Sequence, residues 1–172
     1  MDNNIHIEEL TAEQIAAWAD QPEGLSELIF SNSDDWEGTD RVAMSDSNGW
    51  QTIHFLLAGD AWEGPWPLNF MASTSVGTVV SYDEEYPPAK LYSAQKVQVI
   101  AKALDGIATE ALIARFDADD DELHTFDCPY DAYESEEEFL SESVAPLYEE
   151  IKLFVANAAA KNRGLLVAYT IL

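Results

Sequence analysis

The chain has 172 residues and carries 33 Asp and Glu against 8 Lys and Arg, a formal net charge of −25. That balance disfavours direct binding to nucleic acid or an anionic membrane, because phosphate must be neutralised by Lys and Arg. The single cysteine, Cys128, excludes an internal disulfide and a multi-cysteine zinc site, and a chain of this length is expected to form one domain with a core of its own.

The acidity is not confined to a tail. Residues 1–89 hold 17 acidic residues with Arg41 as the only basic one, and residues 90–172 hold 16 acidic and 7 basic residues. A solvated acidic surface explains this, and so does a surface that meets a basic protein partner, with a fast and salt-sensitive encounter. The N-terminal MDNNIHIEEL is acidic and lacks the apolar core of a signal peptide. No apolar run approaches the roughly 18 residues that mark a membrane span. With its unpaired cysteine, the protein is therefore expected in the cytoplasm, away from membranes.

In chain order, Thr11 and Gln14 have the spacing of a capping box, with Leu10 and Ile15 placed for a hydrophobic staple. The spacing predicts a helix over 12–19 with Ile15 and Trp18 inward. Pro22 and Gly24 break it, and Leu25, Leu28 and Ile29 predict a second short helix to about Phe30. Residues 31–49 are turn-rich and polar and read as a loop with one apolar anchor at 42–44.

Residues 50–64, WQTIHFLLAGDAWEG, are the stretch around which the chain is organised. Trp50, Ile53, His54 and Leu57 fall on one helical face, while Phe55, Leu56 and Ala58 make the other faces apolar, so 50–58 reads as a buried helix. Gly59 suits the left-handed end of that helix, and Asp60 opens a turn. Trp62, Gly64, Pro65, Trp66 and Pro67 then form a stiff aromatic loop.

Residues 68–80 lean towards β-structure, with a bend at Gly77. Pro87 and Pro88 exclude a helix, and Leu91 and Tyr92 read as the end of a short strand. Ser93 caps a helix over 94–105 with Val97, Ile100, Ala101 and Leu104 as its stripe, ended by Gly106. Thr109 is placed to cap another short helix. Residues 117–142 carry twelve acidic residues and no Lys or Arg. Ser135 and Glu138 have capping-box spacing, and an apolar stripe from Leu140 to Ala158 follows. Either one helix kinks at Pro146, or a second helix begins near Ser143 with Pro146 in its first turn. Gly164 is expected to end it. GLLVAYTIL reads as a central strand buried on both faces. The fold expected is α+β: one domain of several helices packed on a small mixed sheet, with the C-terminal strand inside it.

No cofactor loop, metal cluster or catalytic constellation stands out, so no cofactor, metal ligand or catalytic residue is assigned. Asp117, Asp119 and Asp121 fit the first three ligand positions of an EF-hand loop, but position six is Glu122 and position twelve is Cys128. A solvated acidic loop is the better reading. His124 has carboxylates on both sides and is expected in a local ion pair. A lone His54 on a helix face is more often a core residue than a ligand. Even so, the residues that best fit a ligand are His54, Asp60, Trp62, Glu63 and Trp66, because the loop after the buried helix offers acids beside aromatics. Asp60 and Glu63, or His54, are also the groups an acid/base hydrolase would use, the two carboxylates as a pair across a sugar. Nearby carboxylates disfavour a Cys128 thiolate.

Three stretches together resemble a known family. WQTIHFLLAGDAWEG resembles the Trp-x-x-Leu-His-x-Leu-Leu-x-Gly signature of the YfbM-like bacterial proteins, whose domain has no known function. PAKLYSAQKVQVIAKAL is similar to that family's Pro-Ala-Arg-Tyr-Leu segment leading into a helix. YEEIKLFVANAAAKNRGLLVAYTI is similar to its closing helix, glycine and strand. Two departures stand out: family members often carry a basic residue shortly before the central Trp and a His directly after it, where this chain has Ser47, Asn48 and Gly49 before Trp50 and Gln51 after it. The resemblance implies a small α+β bacterial cytoplasmic protein and no particular activity. The sequence therefore points to a non-catalytic binding or interaction protein. A protein that neutralises a basic partner, as an immunity protein or nucleic-acid mimic does, is the sharper alternative, and the hydrolase is the other.

Overall fold

The computed structural model describes residues 3–31, 38–47, 49–72 and 75–171. Strand β1 (Asn3–Leu10) opens the chain and is followed by helices α1 (Ala12–Asp20) and α2 (Leu25–Ile29). Strand β2 (Ala43–Ser47), helix α3 (Gly49–Ala58) and strands β3 (Thr78–Val80) and β4 (Ala89–Tyr92) follow. The second half supplies α4 (Ala94–Asp105), α5 (Thr109–Ile113), α6 (Glu136–Phe139), a π-helical turn (Leu140–Val144), α7 (Ala145–Ala160) and β5 (Gly164–Ile171).

The strands form one sheet in the order β2-β1-β5-β4-β3, so the C-terminal strand is central, as its unbroken apolar run predicts. Every ladder is antiparallel, which corrects the mixed sheet expected from sequence. No helix connects two parallel neighbours here. The first and last strands pair along their whole length instead, from Asn3 opposite Ile171 to Leu10 opposite Gly164.

The period of two divides the sheet's residues between two faces. Ile5, Ile7, Tyr92, Leu165 and Val167 join α3, α4 and α7 in the larger core. Leu10, Leu91, Leu166 and Ala168 pack with Leu25, Ile29 and the half-buried Ile15 and Trp18 of α1 in a smaller one. Both faces are covered, so His6 and Glu8 of β1 are buried despite their polarity. Arg41 makes this tolerable. Its Nε donates to Glu8 Oε1 at 2.8 Å and its Nη2 to Glu8 Oε2 at 2.9 Å, while His6 Nε2 lies 2.9 Å from the same carboxylate. Burial alone pushes the Glu8 carboxyl up, but the His6 and Arg41 hydrogen bonds outweigh it and leave it below its ordinary value.

Local signals are mostly realised. Thr11 and Gln14 close a full capping box on α1, and Ser93 caps α4. The Ser135 hydroxyl accepts from Glu138 N–H, although the Glu138 carboxylate reaches back to Glu134 N–H rather than to the cap. α6, the π-helical turn and α7 follow one another without a break, with helical backbone at Phe139, Val144 and Ala145, so a single helical run passes through Pro146, which stands just after the π-helical turn.

Several expectations need correction. The apolar anchor at 42–44 belongs to a strand, because the Ala43–Ser47 stretch pairs with β1; Met44 is its buried residue and Val42 is exposed. Residues 32–37 and 48 of the expected loop lie outside the described residues. Of the β-leaning 68–80 stretch, only Thr78–Val80 is strand. Main-chain bonds from Asn69 N to Pro65 O and from Ala72 N to Asn69 O turn the chain before it, and 73–74 lie outside the described residues. Ala108, not Thr109, stands at the start of α5, and the Thr109 hydroxyl donates to Glu149. Asn162, at φ 56°, takes the left-handed position after α7. Gly164 instead allows a close approach: a Cβ there would lie 2.1 Å from Ile15 Cδ1 and 2.4 Å from the Tyr92 carbonyl oxygen.

Candidate functional site

Helix α3 is buried from Gly49 through Leu57, as an all-round apolar sequence requires. Its first turn is held by Asp46, whose Oδ2 accepts from Trp50 N–H at 2.8 Å. Trp50 stacks on Tyr169 of β5 with ring centres 5.2 Å apart and donates its indole N–H to Asn3 O at 2.8 Å. These contacts fix the rotation of α3, and with it the placement of Gln51 and His54, three residues apart on one side of the helix.

Gln51 Nε2 donates to Ala61 O at 3.4 Å, which orients the amide and leaves Oε1 without a partner. His54 is fully buried, and neither ring nitrogen has a hydrogen-bond partner. The Glu63 main chain and the Asp60 charge act on the ring in favour of its protonated form. Desolvation, and then the Lys90 charge, push the His54 pKa down to about 4. The ring is therefore neutral near pH 7, with one nitrogen accepting and one donating.

The loop after α3 closes over these groups. Gly64 has φ 114°, and a Cβ there would stand 2.6 Å from Ala58 Cβ, so only glycine lets the loop fold back onto the helix end. Asn69 is buried; its Nδ2 donates to Gly64 O at 2.7 Å and its Oδ1 has no partner. Gln51, His54 and Asn69 thus all bear on the short stretch from Ala61 to Gly64.

Strand β4 supplies the fourth polar group. Lys90 is 2% exposed, and its Nζ donates to Phe70 O at 3.3 Å and to the Tyr169 hydroxyl at 3.1 Å. Burial pushes its pKa down to about 7, opposed in part by the Glu63 charge. Burial also raises the Tyr92 and Tyr169 hydroxyls, so both remain neutral donors, to Phe70 O and Ala72 O respectively.

The residues singled out from sequence separate in the structure. His54 belongs to this buried cluster. Asp60 does not, because its Oδ1 accepts from Trp62 N–H at 2.9 Å and Glu63 N–H at 2.8 Å, and these bonds lower its pKa. Trp62 is 46% exposed, and the Glu63 side chain is also at the surface. Trp66 is half-buried, stacked on Tyr92 at 5.7 Å with Lys96 Nζ 6.0 Å from its ring centre. Sequence reasoning missed Gln51, Asn69, Lys90 and Tyr169. The available signal was a lone polar residue inside an apolar run, as with Asn69 before Phe70 and Lys90 between Ala89 and Leu91.

Elsewhere, a 610 Å³ concavity runs along the far end of α3, bordered by Gly59, Arg115, Asp120 and Glu122. Among the described residues, no three His, Cys, Asp or Glu side chains stand together to hold a metal ion, and His124 makes no ion pair, contrary to expectation. Also among them, no helix is long and apolar enough to cross a membrane.

Comparison with known proteins gives a family profile and a solved structure that this chain is similar to. The profile of a family described as "Domain of unknown function (DUF1877)" matches residues 3–168. A solved structure, the protein of unknown function YfbM from Escherichia coli, superposes with a TM-score of 0.64 at 16% identity, over 99% of this chain and 100% of that one. At that identity the likeness is one of fold. Among curated proteins none matches the chain.

Proposed function

The chain belongs to the DUF1877 family, a domain of unknown function, and from that starting point we propose that it is a cytoplasmic, non-catalytic binding protein whose ligand is held by the buried polar cluster beneath the loop from Asp60 to Asn69. One observation carries this reading. Among the described residues, the buried side-chain polar atoms without a partner are four, Gln51 Oε1, both His54 ring nitrogens and Asn69 Oδ1, and they lie on one side of α3 and the loop it supports. A buried polar group left unpaired costs about 1–3 kcal/mol, so several in one place mark a site kept for something other than stability. Thermal-shift measurement against a panel of small polar molecules tests it. At least one compound should raise the midpoint in the native protein and fail to do so when His54 is replaced by Phe; no shift from any compound would overturn the reading.

The acidic surface favours a second reading, a partner-binding role. The twelve carboxylates of residues 117–142 form no ion pair among the described residues, which leaves their charge available to a basic protein. The immunity and nucleic-acid-mimic alternatives are forms of this reading. Affinity capture at low and high salt tests it: a basic protein should be held at low salt and released at high salt, and retention of none removes the idea. The hydrolase alternative has the least support, because the Asp60 carboxylate is engaged by two main-chain N–H groups.

A further inference from the structure

Resting on the reading of the buried cluster as a ligand site, we propose that its ligand is a small uncharged molecule that donates more hydrogen bonds than it accepts, of the carboxamide or urea type. The orientations of the two amides decide this. Both side-chain nitrogens already face carbonyl oxygens, Gln51 Nε2 that of Ala61 and Asn69 Nδ2 that of Gly64, so the atoms left over are the two oxygens. A neutral imidazole adds one acceptor and one donor. The two ring nitrogens point apart, so one ligand meets only one of them; a ligand with an NH₂ group and one carbonyl donates to the two amide oxygens and accepts from the ring N–H.

Charge narrows the class further. A cation meets Lys90, whose charge, partial near pH 7, acts on the His54 ring more strongly than the opposing Asp60 charge. An anion meets two amide oxygens that carry partial negative charge, with a single imidazole N–H to offset them. The Lys90 ammonium donors do not make an anion site here, because they include bonds to Phe70 O and the Tyr169 hydroxyl. A neutral donor avoids both penalties.

The test is an NMR titration of the full chain, with labelled histidine rings and side-chain amides, against three small probes of similar size: acetamide, acetate and guanidinium. Acetamide should move the His54 ring and the Gln51 and Asn69 amide signals saturably, while the two ions bind about tenfold more weakly or not at all. In Gln51→Met or Asn69→Ser, whichever keeps the native unfolding midpoint, acetamide binding should weaken about fivefold, the effect of one lost hydrogen bond. If acetate or guanidinium binds at His54 as tightly as acetamide, the ligand class is wrong and the ligand-site reading stands. If none of the three moves the His54 ring, the ligand-site reading falls as well. Unchanged acetamide affinity in both folded variants would overturn the assigned acceptors.

Discussion

Lys90 Nζ donates to the Tyr169 hydroxyl at 3.1 Å and lies 5.2 Å from the centre of the same ring, so a buried ammonium is held by neutral partners on the neighbouring strand. Nothing in that pairing repays the loss of hydration in full, and burial pushes the Lys90 pKa down to about 7 from 10.5. The folded pKa lies below the unfolded one, so between pH 7 and 10.5 the unfolded chain binds the extra proton and stability rises with pH. The slope is at most about 1.4 kcal/mol per pH unit. Urea unfolding at pH 7, 8 and 9 should show this rise in the native protein and lose most of it in Lys90→Met. Equal slopes in the two proteins would show that Lys90 is not the group responsible.

His54 carries the same sign at lower pH. Its folded pKa of about 4 lies below the ordinary 6.5, so its stability contribution is complete above 6.5 and falls away as pH drops to 4. The full difference is on the order of 3 kcal/mol. In an NMR pH titration, the His54 ring signals should stay at their neutral positions down to pH 5. A midpoint near 6.5 would mean that the ring is hydrated rather than buried.

Trp50 joins α3 to β1 through its bond to Asn3 O and to β5 through the Tyr169 ring. Trp50→Ala should cost about 3–5 kcal/mol, a large share of a total stability of roughly 5–15 kcal/mol. Denaturant unfolding measures it, and a cost below about 1 kcal/mol would mean that α3 is not anchored there.

Arg41→Ala leaves Glu8, only 2% exposed, without its bidentate partner. Breaking a buried pair from one side costs about 3–5 kcal/mol. Glu8→Gln in the same chain should recover part of that loss, because it removes the stranded charge. Chemical denaturation of the single and double variants decides it, and a double variant no more stable than the single one would show that the charge is not what destabilises.

Gly164→Ala and Gly59→Ala should differ in size. The first places a Cβ 2.4 Å from the Tyr92 carbonyl oxygen, so backbone must move, at a cost of about 1–3 kcal/mol or more. The second meets nothing within 4 Å and pays only for φ 76°, about 1–2 kcal/mol. Midpoints from thermal unfolding rank the two, and the reverse order would sink the close-approach argument.

Much of the fold is legible because its signals are local. The Thr11 and Ser93 caps, the stripe of α4 and the end of α3 at Gly59 depend on bonds within a few residues, and they appear where the spacing puts them. The apolar run of β5 could only be satisfied at the centre of a sheet. Strand β1 was harder to read, since alternating Ile5 and Ile7 share it with His6 and Glu8, and burying those two depends on Arg41, 33 residues away from Glu8.

The candidate site shows the same division more sharply. The sequence by itself determined that residues 50–58 form a buried helix and that a turn begins at Asp60, because both follow from local periodicity and turn chemistry. Only the tertiary structure decided which polar groups lose their water. Lys90 is a lysine in a short strand until β4 pairs beside β5 and the 66–72 loop covers it. Gln51 and Asn69 are ordinary amides until the Ala61 and Gly64 carbonyls turn their nitrogens one way and their oxygens the other. Burial and pairing of a polar group are set by contacts between distant parts of the chain, and no local pattern encodes them.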